Sequence, residues 1–151
     1  METYNKSKPA YRSAGERRVG EFLEEAGIPF EHEAPILVRD RGKPKIWYPD
    51  FYLPDFHTII EYFGVEGDPA YERVKRRKRA AYRANRIPAI YMGPRDLSPD
   101  WQEELLAGIE TILVGRVSEF QKCRLAHIRS EGLQVESESE RGINHRAKPE
   151  R

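Results

Sequence analysis

Residues 47–63 contain seven of the chain's 16 aromatic residues, a total made up of two Trp, eight Tyr and six Phe. Aromatic side chains favour half-buried strands, and Pro54-Asp55 near the middle of the segment is a turn sequence. The segment therefore predicts a β-hairpin with strands near residues 46–53 and 58–63. We expect the hydrophobic core to lie around this hairpin, because the large apolar side chains are concentrated there.

Helix and strand signals on either side of the hairpin complete the predicted fold. Ser13 and Glu16 form a capping-box sequence that opens a helix, and Gly27 ends it. The other predicted elements are a strand at 35–38, a turn at 40–42, a helix over 71–82, a strand at 86–92 and a helix over 98–120.

The resulting order, α-β-β-β-α-β-α, predicts the α/β class, with a mixed central sheet flanked by helices and a C-terminal helix. We divide the chain into an N-terminal arm, residues 1–11, a globular domain, residues 12–122, and a charged tail, residues 123–151. The tail is predicted to be flexible, because its last part has too few apolar side chains to form a core.

Basic residues are concentrated in one short segment. The net charge of the chain is +1, yet residues 73–86 contain eight Lys and Arg and no acid, so the rest of the chain carries −7. Such a segment is a binding site for a polyanion. No run approaches the roughly 20 apolar residues of a membrane helix, the first ten residues lack a secretory signal, and Cys123 alone forms no internal disulfide. We therefore expect a cytoplasmic protein without a membrane partner.

Two acids interrupt the aromatic hairpin. If residues 55 and 56 form its loop, Asp50 lies directly opposite Glu61, with Cβ atoms about 4.5–5.5 Å apart. Two close carboxylates repel unless a cation lies between them, and Mg²⁺ binds one or two carboxylates while keeping several waters. A register slip of one residue would instead separate the two acids to opposite faces, and an aspartate after proline is also common in simple turns.

A lysine and a third acid fall on the inward faces of the flanking helices. Apolar residues at 71, 74, 81 and 82 define the stripe of the basic helix, and Lys78 lies on it, with Lys75 near its edge. An inward lysine needs a carboxylate or a cleft, unless it extends its ammonium group to solvent. Glu16 precedes Val19 by three residues, so it either completes the capping box or faces the interior.

These residues together resemble the PD-(D/E)XK nuclease superfamily over about residues 13–92. Pro49-Asp50 matches the opening pair of the family motif, Glu61 its second acid, and Glu16 the acid on the preceding helix. The sequences PDFYLP and IEYFG, followed by a lysine-bearing helix, are similar to the nuclease subgroup attached to some DNA helicases. Small Holliday-junction resolving enzymes share the core and the size.

One position departs from the family motif. The residue two after Glu61, where the motif has lysine, is Phe63. Similar proteins of this subgroup supply the lysine from the next helix, so the resemblance points to Lys78, with Lys75 as the substitute.

The resemblance implies a restriction-endonuclease-like α-β-β-β-α-β core over residues 12–122 and a metal-dependent endonuclease that hydrolyses DNA phosphodiesters. Branched DNA, such as a Holliday junction in repair or recombination, is one substrate of such enzymes. Mg²⁺, for which Mn²⁺ can substitute, is then held by Asp50, Glu61 and the Tyr62 carbonyl group. The implied catalytic residues are Asp50, Glu61, Lys78 and Glu16, and the implied DNA contacts are Lys75, Arg76, Arg77, Arg79 and Arg83.

Two other classes of protein remain open. Loss of the lysine at Phe63 favours a catalytically inactive, nuclease-like DNA-binding module. The acidic first helix and the long last helix favour an accessory nuclease subunit that docks a helicase. The apolar stripe from Trp101 to Phe120 either covers the protein's own sheet or forms a homodimer interface.

Overall fold

The structure is a computed structural model that describes residues 9–141, with side chains described for residues 9–127 and 129. Most of the predicted N-terminal arm and the last ten residues of the predicted tail lie outside this range. The chain divides into two compact units, residues 1–112 and residues 113–151. The second unit is described only as far as Arg141, as a continuous helix.

Three helices and six strands make up the described residues. The helices are α1 (Ala14–Glu25), α2 (Pro69–Ala84) and α3 (Trp101–Arg141). Short 3₁₀ turns lie at Pro54–Phe56 and Pro94–Asp96. The strands are β1 (Glu31–His32), β2 (Ile36–Asp40), β3 (Lys43–Trp47), β4 (Phe51–Leu53), β5 (Thr58–Tyr62) and β6 (Ala89–Met92).

Four of the strands form one mixed sheet in the order β1-β4-β5-β6. The β1–β4 and β4–β5 pairs are antiparallel, and the β5–β6 pair is parallel, with α2 as the crossover between its two strands. The predicted α/β class with a mixed sheet and a C-terminal helix is confirmed at this level.

The prediction of one continuous strand over residues 46–53 is wrong. That segment is divided between β3 and β4, and residues 48–50 lie between them. Pro49 has no backbone N–H to donate to a ladder, so it ends a central strand. Strands β2 and β3 form a separate two-stranded hairpin, and β1, which the sequence did not predict, occupies the edge position of the main sheet. The predicted turn at residues 40–42 does connect β2 to β3.

The register predicted for the aromatic hairpin is confirmed. Phe51 pairs with Ile60, and Leu53 pairs with Thr58. The His57 N–H donates to the Pro54 carbonyl oxygen at 3.3 Å across the tight connection. His57 itself takes a left-handed conformation, with φ of 47°, which closes the loop without lengthening it.

The helix starts follow from their capping residues. The Ser13 hydroxyl oxygen accepts a hydrogen bond from the Glu16 N–H at 3.1 Å, as the capping sequence predicts. Asp68 caps α2 by accepting from the Ala70 N–H at 2.8 Å, and Pro69 occupies the first helical position. Gly27, with φ of 66°, follows α1 in the left-handed conformation that glycine adopts without strain.

Two hydrophobic clusters enclose the sheet. One joins α1, β4 and the first turns of α3, and its buried members include Leu23, Phe51 and Trp101. The other joins β2, β5 and α2 through Val38, Ile59, Ala81 and Tyr82. The core therefore lies on the aromatic hairpin, as predicted.

Helix α3 differs from its prediction at both ends. It begins at Trp101 rather than at Ser98, because residues 98–100 form a turn. The Trp101 N–H donates to the Ser98 carbonyl oxygen across this turn at 3.2 Å. It continues to Arg141, through the first part of the segment predicted to be flexible. Helical hydrogen bonds are local and need no core, so a charged sequence can form them. Among the described residues, no helix is long and apolar enough to cross a membrane.

Candidate functional site

The two hairpin acids lie at the same end of neighbouring strands. Asp50 directly precedes β4, and Glu61 lies within β5. The observed Phe51 to Ile60 pairing, continued by one residue, places Asp50 opposite Glu61. On its other side, Glu61 pairs with Tyr91 of β6. The candidate site is therefore built on the central strands of the sheet.

Glu61 is buried, with 1% of the residue exposed. One carboxylate oxygen accepts a hydrogen bond from the Lys78 ammonium at 2.7 Å, and the other accepts from the Tyr82 hydroxyl at 2.5 Å. Both donors come from α2, one turn apart. A buried carboxylate is costly unless it is paired and hydrogen-bonded, so α2 supplies both conditions.

Asp50 has a different environment. One of its carboxylate oxygens accepts a hydrogen bond from the Tyr62 backbone N–H at 2.6 Å. Burial, followed by the negative charges of Glu61 and Glu16, raises the pKa of Asp50 to about 6, although the Tyr62 N–H and Lys78 lower it. The pair thus combines a carboxylate compensated by lysine with one that is poorly compensated, which is where a divalent cation would be most favourable.

Glu16 faces the interior, and its carboxylate accepts from the Arg12 N–H, one residue before the cap, rather than from the Ser13 N–H that a completed capping box requires. It is 3% exposed, and one carboxylate oxygen lies 2.6 Å from His32 Nε2 while the other accepts from the Arg12 N–H at 3.0 Å. A Cβ at Gly15 would lie 2.0 Å from the Tyr62 side chain, so glycine lets α1 approach the end of β5. Glu16 is consequently near enough to raise the pKa of Asp50, while its own carboxylate contacts His32.

The buried face of α2 is narrower than the pattern of apolar residues in its sequence indicates. Ala81 and Tyr82 are buried and Lys78 is partly buried, but Val74 is 48% exposed, so its predicted inward position is wrong. The four arginines that were predicted as DNA contacts are exposed: Arg76, Arg77, Arg79 and Arg83.

One of these arginines already has a strong acidic partner. Arg77 donates to the buried Asp40 carboxylate through its Nε at 3.1 Å and also through a terminal nitrogen. Lys45 donates to the same oxygen at 2.8 Å. These two cations hold the pKa of Asp40 well below its usual range. Arg77 therefore ties α2 to the β2–β3 hairpin, in addition to any contact with a ligand.

Aromatic rings support two other cations of α2. The Lys75 ammonium lies 5.7 Å from the centre of the Phe63 ring and 5.6 Å from that of Tyr71. The Arg79 guanidinium lies 4.8 Å from the centre of the Tyr91 ring, and Tyr91 stacks on Phe63 at 5.7 Å. Phe63 is therefore part of the aromatic surface on which these two cations lie.

Two residues of the site were not singled out from the sequence. Tyr82 follows Lys78 by four residues, so helical periodicity places both on one face, and that spacing is a usable signal. His32 lies on a two-residue edge strand that has no clear sequence pattern, so its contact with Glu16 is visible only in three dimensions.

The atoms at the site that could bind a metal ion are few, and all of them are oxygens. In the part of the chain whose side chains are described, no group of three or more His, Cys, Asp or Glu side chains is arranged to hold a metal ion. Asp50, Glu61 and the Tyr62 carbonyl group would offer two carboxylates and one neutral oxygen. This set fits Mg²⁺, which uses few protein ligands and retains water, and it does not fit a zinc site.

Comparison with protein-family models, with curated proteins and with solved structures gives no match to this chain. The functional argument therefore depends on the site itself.

Proposed function

We propose that this protein is a Mg²⁺-dependent endonuclease that hydrolyses DNA phosphodiester bonds. The observation that carries the proposal is the Asp50 and Glu61 pair, with Asp50 directly before β4, Glu61 within the neighbouring β5, and Lys78 bound to Glu61. Two acids can hold a divalent metal ion that activates water, and a lysine beside them can stabilise negative charge that develops on a phosphate.

The order of the elements supports the same proposal. If the β2–β3 hairpin is counted as an insertion, the elements up to β6 run α-β-β-β-α-β. The strand order β1-β4-β5-β6 then follows the chain, with one parallel pair at its end. This is the arrangement expected of a restriction-endonuclease-like core.

Each residue of the site has a definable role in the proposed reaction. When bound, Mg²⁺ supplies a water of lowered pKa and polarises a phosphate oxygen. Asp50, Glu61 and the Tyr62 carbonyl group are the residues that would hold it. The Lys78 ammonium would move away from Glu61 in order to orient a water. It would also stabilise the negative charge that develops on the phosphate. Glu16 adds negative charge beside Asp50 and strengthens the cation site.

The direct test is cleavage of plasmid, flap and four-way-junction DNA with Mg²⁺ or Mn²⁺. We expect Asp50→Asn and Glu61→Gln to abolish metal-dependent cleavage while leaving DNA binding measurable. Asp55→Asn, which removes an exposed acid from the same hairpin, is the matched control and should cleave like wild type. Absence of cleavage with every substrate and both metals, or equal cleavage by all variants, contradicts the proposal.

The identity of the catalytic lysine has its own test. The Lys78 ammonium contacts Glu61, whereas the Lys75 ammonium lies over aromatic rings and 2.5 Å from Glu72. Lys78→Met should therefore reduce the cleavage rate constant by about 100-fold or more. Lys75→Met should chiefly weaken DNA binding. The reverse pattern would assign the role to Lys75.

A DNA-binding module without catalytic activity is the second candidate. It is favoured by Phe63, which fills the motif's lysine position and packs between Tyr71 and Tyr91. Binding without metal, combined with no cleavage by wild type under any of the conditions above, would select this candidate.

A further inference from the structure

A cleft of about 540 Å³ opens beside the candidate site. One wall is formed by Ile46, Trp47 and Tyr48, at the end of β3, and the other by Val74, Arg77 and Lys78 of α2. This volume lies within the range of clefts that bind small organic ligands. The proposed function as stated above assigns no role to it.

The cleft connects directly to the carboxylates. Lys78 lines the cleft and also donates to Glu61. Trp47 packs edge-on against Tyr82 at 5.4 Å between ring centres, and Tyr82 donates to the other oxygen of Glu61. A ligand in the cleft would therefore lie next to a phosphate at the candidate site.

One wall of the cleft has an uncovered aromatic ring. Tyr48 is 58% exposed, and the adjacent Ile46 is 60% exposed. Tyr48 is followed by Pro49, which restricts its backbone to extended conformations. An exposed ring of this kind offers a flat surface on which a nucleobase can stack.

The rest of the lining is predominantly cationic. Arg12 and Glu33 complete it and form an ion pair with each other, so the cleft's remaining cations are Arg77 and Lys78, whose acidic partners, Asp40 and Glu61, do not line the cleft. A flat aromatic surface opposite cationic side chains is the combination that binds single-stranded nucleic acids, because bases stack while cations contact phosphates. A neutral peptide would leave the cations without a complementary group.

We propose that this cleft binds one unpaired nucleotide of the DNA substrate, with its base stacked on Tyr48 and its phosphate facing Lys78 and Arg77. This inference rests on the proposed function and narrows it to DNA that has an unpaired base beside the scissile phosphate. Such bases occur at flaps, single-stranded ends and branch points, whereas a continuous duplex holds its bases in the stack.

The test is equilibrium binding of fluorescein-labelled DNA, measured by anisotropy in EDTA so that no cleavage occurs. The probes are oligothymidine, an abasic strand of equal length and a blunt duplex. Tyr48→Ala should bind oligothymidine roughly tenfold more weakly than wild type, and Tyr48→Phe should restore binding. The abasic strand and the duplex should bind Tyr48→Ala and wild type equally.

Leu37→Ala is the matched control. Leu37 is 72% exposed on the same hairpin and does not line the cleft, so its removal should change no affinity. The inference is overturned if Tyr48→Ala binds oligothymidine like wild type, or if Leu37→Ala loses as much affinity for oligothymidine as Tyr48→Ala does. It is also overturned if Tyr48→Ala loses as much affinity for the abasic strand and the duplex as it loses for oligothymidine.

The outcomes separate this inference from the proposed nuclease activity. Tyr48-dependent binding of oligothymidine without cleavage by wild type would support the cleft and contradict the nuclease. Metal-dependent cleavage with binding that does not depend on Tyr48 would support the nuclease and contradict the cleft.

Discussion

Both carboxylate oxygens of Glu61 accept hydrogen bonds from α2. Tyr82 donates to one oxygen and Lys78 to the other, and all but 1% of Glu61 is buried. The hydroxyl of the buried Tyr82 therefore positions the carboxylate, while the partly exposed Lys78 is the partner that can leave. Tyr82 is therefore a positioning residue. We expect its substitution to have different effects from the substitution of Lys78.

Tyr82→Phe tests this role by removing a single oxygen. We expect the free energy of unfolding to fall by about 1–3 kcal/mol, because a buried charge loses a hydrogen bond. The proposed Mg²⁺ affinity should fall as well, because the Glu61 carboxylate is less well oriented. Urea unfolding and calorimetric Mg²⁺ titration measure the two effects.

Tyr52→Phe is the control for that substitution, because the Tyr52 hydroxyl contacts His57 at the exposed end of the hairpin. It should change neither quantity appreciably. Equal effects of the two substitutions would show that Tyr82 has no special role at the site.

The raised pKa of Asp50 predicts how stability depends on pH. An aspartate in an unfolded chain titrates near 3.9, whereas burial and then Glu61 raise the pKa of Asp50 to about 6. The folded protein therefore binds this proton more tightly, and Asp50 lowers the free energy of unfolding as pH rises from about 4 to about 6.

Asp50→Asn removes that titration. In EDTA, the stability of the variant relative to wild type should rise by about 2–3 kcal/mol between pH 4 and pH 6.5. Urea unfolding at several pH values measures this difference. A constant difference across that range would show that the pKa of Asp50 is not raised.

At this scale the sequence predicts the acids better than their partners. The turn at Pro54-Asp55 sets the hairpin register, so the opposition of Asp50 and Glu61 follows from local sequence. The bond from Lys78 to Glu61 requires docking of α2 on the sheet, which periodicity only indicates. The contact of Glu16 with His32 joins α1 to an edge strand, and no local signal specifies it.

Among the elements, α2 combines two functions that its sequence does not separate. Its cations look alike in sequence, and Arg76, Arg77 and Arg83 are all exposed, yet Arg77 is bound to the buried Asp40. Only tertiary structure distinguishes an arginine that holds the β2–β3 hairpin from one that faces solvent. The strand break at Pro49, in contrast, follows from a local rule that outweighs the aromatic pattern.

Substitutions along α2 should therefore have two different effects. Arg76→Ala with Arg83→Ala should weaken DNA binding similarly for all sequences and lower the slope of log affinity against log salt by about one per lost phosphate contact. Arg77→Ala should lower the melting temperature more than the double variant does, because the buried Asp40 carboxylate then keeps only Lys45 as a cationic partner. Anisotropy titrations at several salt concentrations and thermal unfolding measure both. Unchanged salt dependence in the double variant would show that α2 does not contact DNA.

At the scale of the whole molecule, the core of the first unit uses only the beginning of α3. Among the described residues of α3, those that are buried are Trp101, Leu105 and Ile109. Beyond residue 112 the second unit presents exposed apolar side chains, at Val114, Val117, Phe120 and Leu125 among others. A homodimer or a helicase partner on this helix stays a prediction.

A chain ending at residue 122 should therefore still fold. We expect cooperative thermal unfolding with a melting temperature within about 5 °C of the full chain, because the three buried residues of α3 are retained. Size-exclusion chromatography with light scattering on both chains shows at the same time whether the removed part changes the oligomeric state. Loss of cooperative unfolding would show that the first unit depends on residues beyond 122.

The pairing of the strands also has a kinetic consequence. Both hairpins join residues that are close in sequence, whereas the parallel ladder joins Ile59 of β5 to Ala89 of β6 across the whole of α2. Contacts between sequence-distant residues close larger loops and form more slowly. We therefore expect Asp50 and Glu61 to meet early in folding, while the slower docking of α2 brings Lys78 to Glu61.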